Sequence, residues 1–167
     1  MDSFSIILVV VLLILVILSA FFSGSETSIM ALNQIKLDNA EKQGNKSAKI
    51  INSLRKEINR VLGVILIGNN LVNISASALL TFFVIKKFGD EYVWIGTLLL
   101  TIFIIIFAEI APKSFAAKRP ESIAYPASRI LKVLTKYLGS FSEMLTNISN
   151  SLTGIKNNEN YFSENLN

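Results

Sequence analysis

Cysteine and histidine are both absent from the 167 residues, and charged residues make up only 17% of them. Without thiol or imidazole there is no disulfide scaffold, no Cys/His zinc site, no haem or iron–sulfur ligation, and no Cys–His or Ser–His–Asp nucleophile. A metal held by this chain has oxygen ligands, which favours hard ions such as magnesium, calcium or sodium. Soluble domains carry about 25% charged residues. The deficit here, with 51% hydrophobic residues and a mean hydropathy of +0.52, points to lipid. A net charge of +4, from 16 basic and 12 acidic residues, is too small to argue for nucleic acid. No Gly-x-x-x-x-Gly-Lys phosphate loop and no nucleophile–base pair is visible, so neither nucleotide hydrolysis nor other enzymatic catalysis is expected of these residues.

What is present is three apolar runs. Phe4 to Phe22 is broken only by Ser5 and Ser19, and as a helix it is about 28 Å long, close to the hydrocarbon thickness of a bilayer. A secretory signal peptide is the alternative, but that needs a basic leading region and the first basic residue is Lys36. Val61 to Ile85 is the second run, with Gly68-Asn69-Asn70-Leu71-Val72-Asn73-Ile74-Ser75-Ala76-Ser77 at its middle. Tyr92 to Ala108 is the third, opening on Tyr92 and Trp94, rings that favour the headgroup level. The expectation is an all-α integral membrane domain over residues 1–153, with membrane helices at about 4–24, 61–85 and 92–111.

Charge placement orients it. Asn33 to Arg60 carries Lys36, Lys42, Lys46, Lys49, Arg55, Lys56 and Arg60, and the chain after Glu109 carries seven more basic residues. The positive-inside rule puts both basic parts in the cytoplasm and the N-terminus outside, in a multi-pass protein of the cell (inner or plasma) membrane. Residues 26–58 and 120–150 read as juxtamembrane helices. In the latter Ile123, Ala127, Ile130, Leu134, Tyr137, Phe141, Leu145 and Ile148 recur every three or four residues, clear of Arg129, Lys132 and Lys136. That pattern fits an interfacial amphipathic helix or a soluble helix packed on a further domain. Residues 154–167 are rich in asparagine and serine and are expected to be disordered.

Several polar groups fall where lipid makes them costly. Glu109 ends the third run, and an intramembrane carboxylate is by default a functional candidate. Pro112 has no N–H, so the helix is expected to kink or stop there and free backbone oxygens. Glu109 either ligates a cation or pairs with Lys113, four residues on. Asn69, Asn73 and Ser77 share one face of the second run. Asn69 and Asn73 read as ligands, while Gly63, Gly68, Asn70, Ser75 and Ser77 read as helix-packing residues. Ser19 and Ser23 are also four apart. Ser23-x-x-Glu26 has the form of a capping box, which would start a new helix, and a break there would also expose oxygens. Hydroxyls, amides and a carboxylate on three runs thus share one expected depth, suited to a cation at least partly stripped of water.

Ser19-Ala20-Phe21-Phe22-Ser23-Gly24-Ser25-Glu26-Thr27, Gly68-Asn69-Asn70-Leu71-Val72-Asn73 and Ala108-Glu109-Ile110-Ala111-Pro112-Lys113 together resemble the signature of the CorC/CNNM (cyclin M) transmembrane domain, whose bacterial members are also described as hemolysin-C-like. The resemblance spans about Phe4 to Gly139. It implies a homodimeric magnesium exporter driven by inward sodium, with three membrane helices and a juxtamembrane belt in each subunit. A largely dehydrated Mg2+ would sit between the helices. The ligand positions it implies are Ser23, Asn73 and Glu109, with backbone oxygen near Ser23 and Phe115. Ser19, Asn69 and Asn70 come second, for sodium or for oxygens behind the ligands. Family members continue into a nucleotide-binding paired CBS domain that nothing here resembles, so the chain reads as a transmembrane fragment. Expelling a divalent cation costs about 4.6 kcal/mol per 100 mV, which inward movement of two sodium ions would offset. The rival reading is a membrane anchor or sensor serving a cytoplasmic domain; a pore-forming toxin has no support in the sequence.

Overall fold

The computed structural model describes residues 3–153, and among them every regular element is helical. Helices α1 (Ser3–Ala31) and α4 (Ile58–Phe88) are the first two spans. The third, Asp90–Lys118, opens with a 3-10 turn, continues as α5 (Val93–Phe103), widens into a π-helix over Ile104–Ile110 and ends as α6 (Ala111–Lys118). Helices α2 (Gln34–Lys42) and α3 (Lys46–Lys56) form a hairpin between the first two spans, and α7 (Pro120–Thr153) follows the third. The three expected spans are present, and all three are long and apolar enough to cross a membrane. The tail at 154–167 lies outside the described residues.

The bounds differ from expectation for physical reasons. The first span does not stop at Gly24; α1 runs to Ala31, a 29-residue helix, about 43 Å long, which overshoots the hydrocarbon layer by more than 10 Å. The capping box at Ser23 is not used. Gly24 lies instead at a helix contact, where a Cβ would meet Pro112 Cβ at 3.6 Å and Ile123 Cδ1 at 3.4 Å, ordinary van der Waals distances. The Ser28 hydroxyl donates back to the Ser25 carbonyl at 3.0 Å, within the helix. Pro112 neither stops nor ends the third span. Its missing N–H and the clash of its ring with the preceding turn are absorbed by the π segment just upstream, where the Ala111 N–H reaches the Ile106 carbonyl, five residues back.

The packed core lies at one end of the bundle, where α1 finishes and α4 starts, here termed the basic end. Phe22, Ile29, Leu54, Val61, Ile65 and Leu131 bury together there, drawing on α1, α3, α4 and α7. Leu32, Leu37, Ala48, Ile51 and Ala124 extend the core under the α2–α3 hairpin. Asn33 and Asn45 cap α2 and α3, accepting from the N–H groups of Lys36 and of Ser47 and Ala48, and Gly44 takes the positive φ of the turn between them.

Arg55 closes this end. Its guanidinium donates to the Leu32 carbonyl at 2.8 Å, to the Ile29 carbonyl at 3.1 and 2.5 Å, and to Gln34 Oε1 at 2.6 Å. Carbonyls of the last turn of α1 have no partner in their own helix, and a cation beside them also opposes the negative end of the helix dipole. Burial lowers the Arg55 pKa and the charge of Asp38 raises it, with burial the larger; arginine remains charged at physiological pH regardless. Arg55→Ala is expected to destabilise the folded domain by about 2 kcal/mol, the worth of hydrogen bonds from one charged group, measured as a lower unfolding midpoint in micelles, with Arg55→Lys recovering only part.

Candidate ion-binding site

Helices α1 and α4 are antiparallel neighbours, and two contacts set their register. The Ser19 hydroxyl donates to Asn69 Oδ1 at 2.9 Å. One turn away the Phe22 ring covers Gly68 so closely that a Cβ there would fall 2.5 Å from the ring. Gly68 and Gly63 thus act in close packing as expected, the latter opposite Ser142 of α7.

From the Ser19–Asn69 pair the remaining groups step away in order. Ser23 lies one turn further along α1 toward the basic end, and Asn73 one turn further along α4 toward the opposite end. Four residues of helix rise about 6 Å, so Ser23 and Asn73 differ in height by about 12 Å. The third span runs parallel to α1 and meets it where Pro112 approaches Gly24. Glu109, three residues earlier in the π segment, therefore falls in height between Ser19 and Ser23. The oxygens form a ladder rather than a single ring.

Two rungs are unpartnered. Ser23 is 1% exposed and its hydroxyl has no hydrogen-bond partner, and the buried Asn73 Oδ1 has none either. A buried polar group left this way costs about 1–3 kcal/mol, which an ion or water would relieve. The Ser25 hydroxyl is also unpartnered, but two residues from Ser23 it faces the opposite side of α1 and belongs to a different environment. Glu109 is half-buried and, among the described residues, makes neither ion pair nor hydrogen bond. Lys113 does not pair with it; the Lys113 ammonium sits 3.4 Å from Glu26 of α1. The two other positions stand apart. Asn70 is exposed on the outer face of α4 beside Leu66, Leu71 and Ile74. The Phe115 ring is half exposed, and its carbonyl already accepts the Arg119 N–H at 2.9 Å.

Sequence reasoning missed the Glu26–Lys113 bridge and the Arg55 cap. Glu26 carried a usable signal, being the first acidic residue after an apolar helix and one turn beyond Ser23. Arg55 carried none, since nothing local marks it among the seven basic residues of its segment.

The fold and these groups define a multi-pass, all-helical membrane protein with polar side chains set between three spans. Residues 10–165 match the family described as the cyclin M transmembrane N-terminal domain. The chain is 49% identical over 117 residues to the UPF0053 inner membrane protein YfjD of Escherichia coli, covering 70% of this chain and 27% of that protein. It is 44% identical over 129 residues to a UPF0053 protein of Haemophilus influenzae (77% and 31%), and 36% identical over 133 residues to a DUF21 domain-containing chloroplastic protein of Arabidopsis thaliana (79% and 20%). The chain belongs to the CorC/CNNM family. It spans less than a third of the length of these relatives.

The register predicts a paired outcome at Gly68. Gly68→Ala is expected to destabilise the fold by about 1–3 kcal/mol through overpacking, and Phe22→Leu in the same chain should recover most of that loss. A double-mutant cycle on thermal unfolding measures the coupling; additive losses would show that the ring does not set the register.

Proposed function

We propose that this domain carries Mg2+ across the membrane, binding it as substrate between the three spans through Glu109, Ser23 and Asn73. The observation that carries this reading is Glu109, a carboxylate in an apolar span with no cation against it among the described residues, on a ladder that also holds a buried serine hydroxyl and an amide oxygen without partners. Such groups are expensive in lipid unless a ligand or water uses them. Magnesium takes oxygen ligands in octahedral geometry and gives up water reluctantly, so a mixed set of one carboxylate and neutral oxygens suits an ion carried largely dehydrated.

The height difference between Ser23 and Asn73 supports a role for the rung between them in this reading. Loading one ion onto both requires the Ser19–Asn69 hydrogen bond to open and the parts of α1 and α4 beyond the packed core to rearrange, exchanging a protein–protein contact for ion ligation. Ser19 and Asn69, once released, join the ligands or hold sodium. Family likeness supports export coupled to inward sodium, a homodimer, the basic end in the cytoplasm with the N-terminus outside, and a cytoplasmic CBS-pair domain in the longer protein.

A second reading has its own support in the Ser19–Asn69 bond, which is also how membrane helices are glued together. A membrane anchor or sensor built this way would bind no ion itself. Ligand at a hundred-fold excess over Kd stabilises the folded state by about 2.7 kcal/mol, a rise of several degrees in Tm. The purified domain is expected to show that rise with Mg2+ and not with K+. Glu109→Gln and Asn73→Ala should abolish it together with Mg2+ efflux from liposomes carrying a sodium gradient, while Asn70→Ala keeps both. Equal melting with Mg2+ and K+ in the unaltered protein would favour the anchor.

A further inference from the structure

Helix α7 is 34 residues long yet is not among the apolar spans. It packs on the basic end of the bundle, with Ile123 against Gly24, Ser142 against Gly63, and Glu143 within 3.4 Å of Arg60. Its residues sort into three faces. Ala124, Ala127, Ser128, Leu131 and Ser142 are buried against the bundle. Ile130, Val133, Tyr137, Phe141 and Ile148, at helical spacing, form a second face that is 47–74% exposed. Arg129, Lys132 and Lys136 form a third; all three are exposed and, among the described residues, none has an ion pair.

The border between the second and third faces is specific. Arg129, Val133 and Lys136 are spaced i, i+4, i+7 and line one edge, so two cations flank an apolar side chain. At that edge a shallow groove of about 290 Å³ is lined by Arg129, Ile130, Val133 and Leu134, and its walls are almost wholly apolar. Lys136 extends over the Tyr137 ring, 5.7 Å from its centroid, which carries its ammonium toward the same edge.

We propose that this edge of α7 is a binding site for an anionic phospholipid, with the phosphate between Arg129 and Lys136 and an acyl-chain segment in the groove beside Ile130, Val133 and Leu134. Three arguments select lipid as the occupant. The helix is held at one end of three membrane spans, so its outer face lies at the bilayer boundary. Its apolar stripe continues exposed apolar surface, and basic residues at such a border meet headgroups while their stems lie along the hydrocarbon. Neither acidic residue of α7 neutralises them: Glu143 is engaged by Arg60, and Glu121, two turns before Arg129, makes no ion pair with them among the described residues. The inference does not depend on the transport reading, since none of these residues lies among the ladder oxygens.

The test uses the intact chain in nanodiscs and micelles, with native mass spectrometry to count bound lipid. Each basic residue near an anionic surface is worth about a five-fold change in affinity, so phosphatidylglycerol should be retained over phosphatidylcholine by at least that factor. R129Q/K132Q/K136Q should bring the two lipids to parity, and the single change Arg129→Gln should lose part of the preference. K42Q/K46Q/K49Q, which removes the same charge from the α2–α3 hairpin, should leave it intact. Equal retention of the two lipids by the unaltered protein, or loss of preference in the hairpin variant, would overturn the site. So would displacement of phosphatidylglycerol by inorganic phosphate alone, or efficient disulfide formation between copies carrying Val133→Cys, which would show a second copy covering the groove.

Discussion

The register of α1 against α4 governs the rest of the molecule, and it rests on a small patch of two adjoining turns. Phe22 lies over Gly68 because glycine leaves nothing between the ring and the α4 backbone, and the Ser19 hydroxyl meets Asn69 one turn on. Apolar side chains alone set register poorly between membrane helices, because lipid tails are as apolar as leucine. Close backbone approach and an interhelical hydrogen bond supply what the hydrophobic effect does not. Every other polar side chain between these two helices takes its height from this patch, including the two oxygens left without partners.

Stability is then concentrated at the basic end. The spans overshoot the hydrocarbon layer there, and the overshoot is where water is available to drive burial of Ile29, Leu54, Val61 and Leu131. Arg55 ties the end of α1 to the hairpin, and Arg60, which also pairs locally with Glu57, ties the start of α4 to α7 through the carboxylate of Glu143. Gly139 and Gly63 let α7 approach α4 at the level of Arg60. The opposite end is lighter. Phe4 meets Phe82 and the Lys86 ammonium, and the third span has only 11% of its apolar window buried. A bundle fixed at one end and loosely packed at the other keeps its core intact while the far ends of its helices are freer to separate.

Hydropathy was enough to find the spans, because crossing lipid requires a long apolar run whatever the neighbours are. Helix ends were harder. Ser23-Gly24 and Pro112 are punctuation marks by the rules of water-exposed helices. In this bundle Gly24 is a contact point for Pro112 and Ile123, and Pro112 is accommodated by a wider helical turn, so neither ends its helix. The period of α7 was legible, but period does not distinguish a face that meets protein from one that does not. Ala127 and Leu134 turn inward, while Ile130, Tyr137, Phe141 and Ile148 turn outward. Among the candidate site residues, chemical type and spacing picked out Ser19, Ser23, Asn69 and Asn73 on facing helices. Which of them is already bonded, and at what height, depends on register, which no single helix encodes.

The pairing of Lys113 shows how much that register decides. By sequence, Lys113 has a carboxylate four residues before it, a spacing that brings side chains together on an α-helix. The structure gives it Glu26 instead, because α6 lies along α1 with Pro112 against Gly24, which places Glu26 beside Lys113. Two carboxylates and one ammonium therefore share a short length of two parallel helices, and the ammonium is held by the one nearer the basic end. Had Lys113 paired with Glu109, a fixed cation would already neutralise the π segment, and a mobile cation would have to displace it. Pairing with Glu26 leaves the charge of Glu109 uncompensated in an apolar span, where an unpaired carboxylate is costly. That cost follows from the packing of α6 along α1 with Pro112 against Gly24, so on the proposed reading the helix–helix contact would tune cation binding at this position as much as the carboxylate itself.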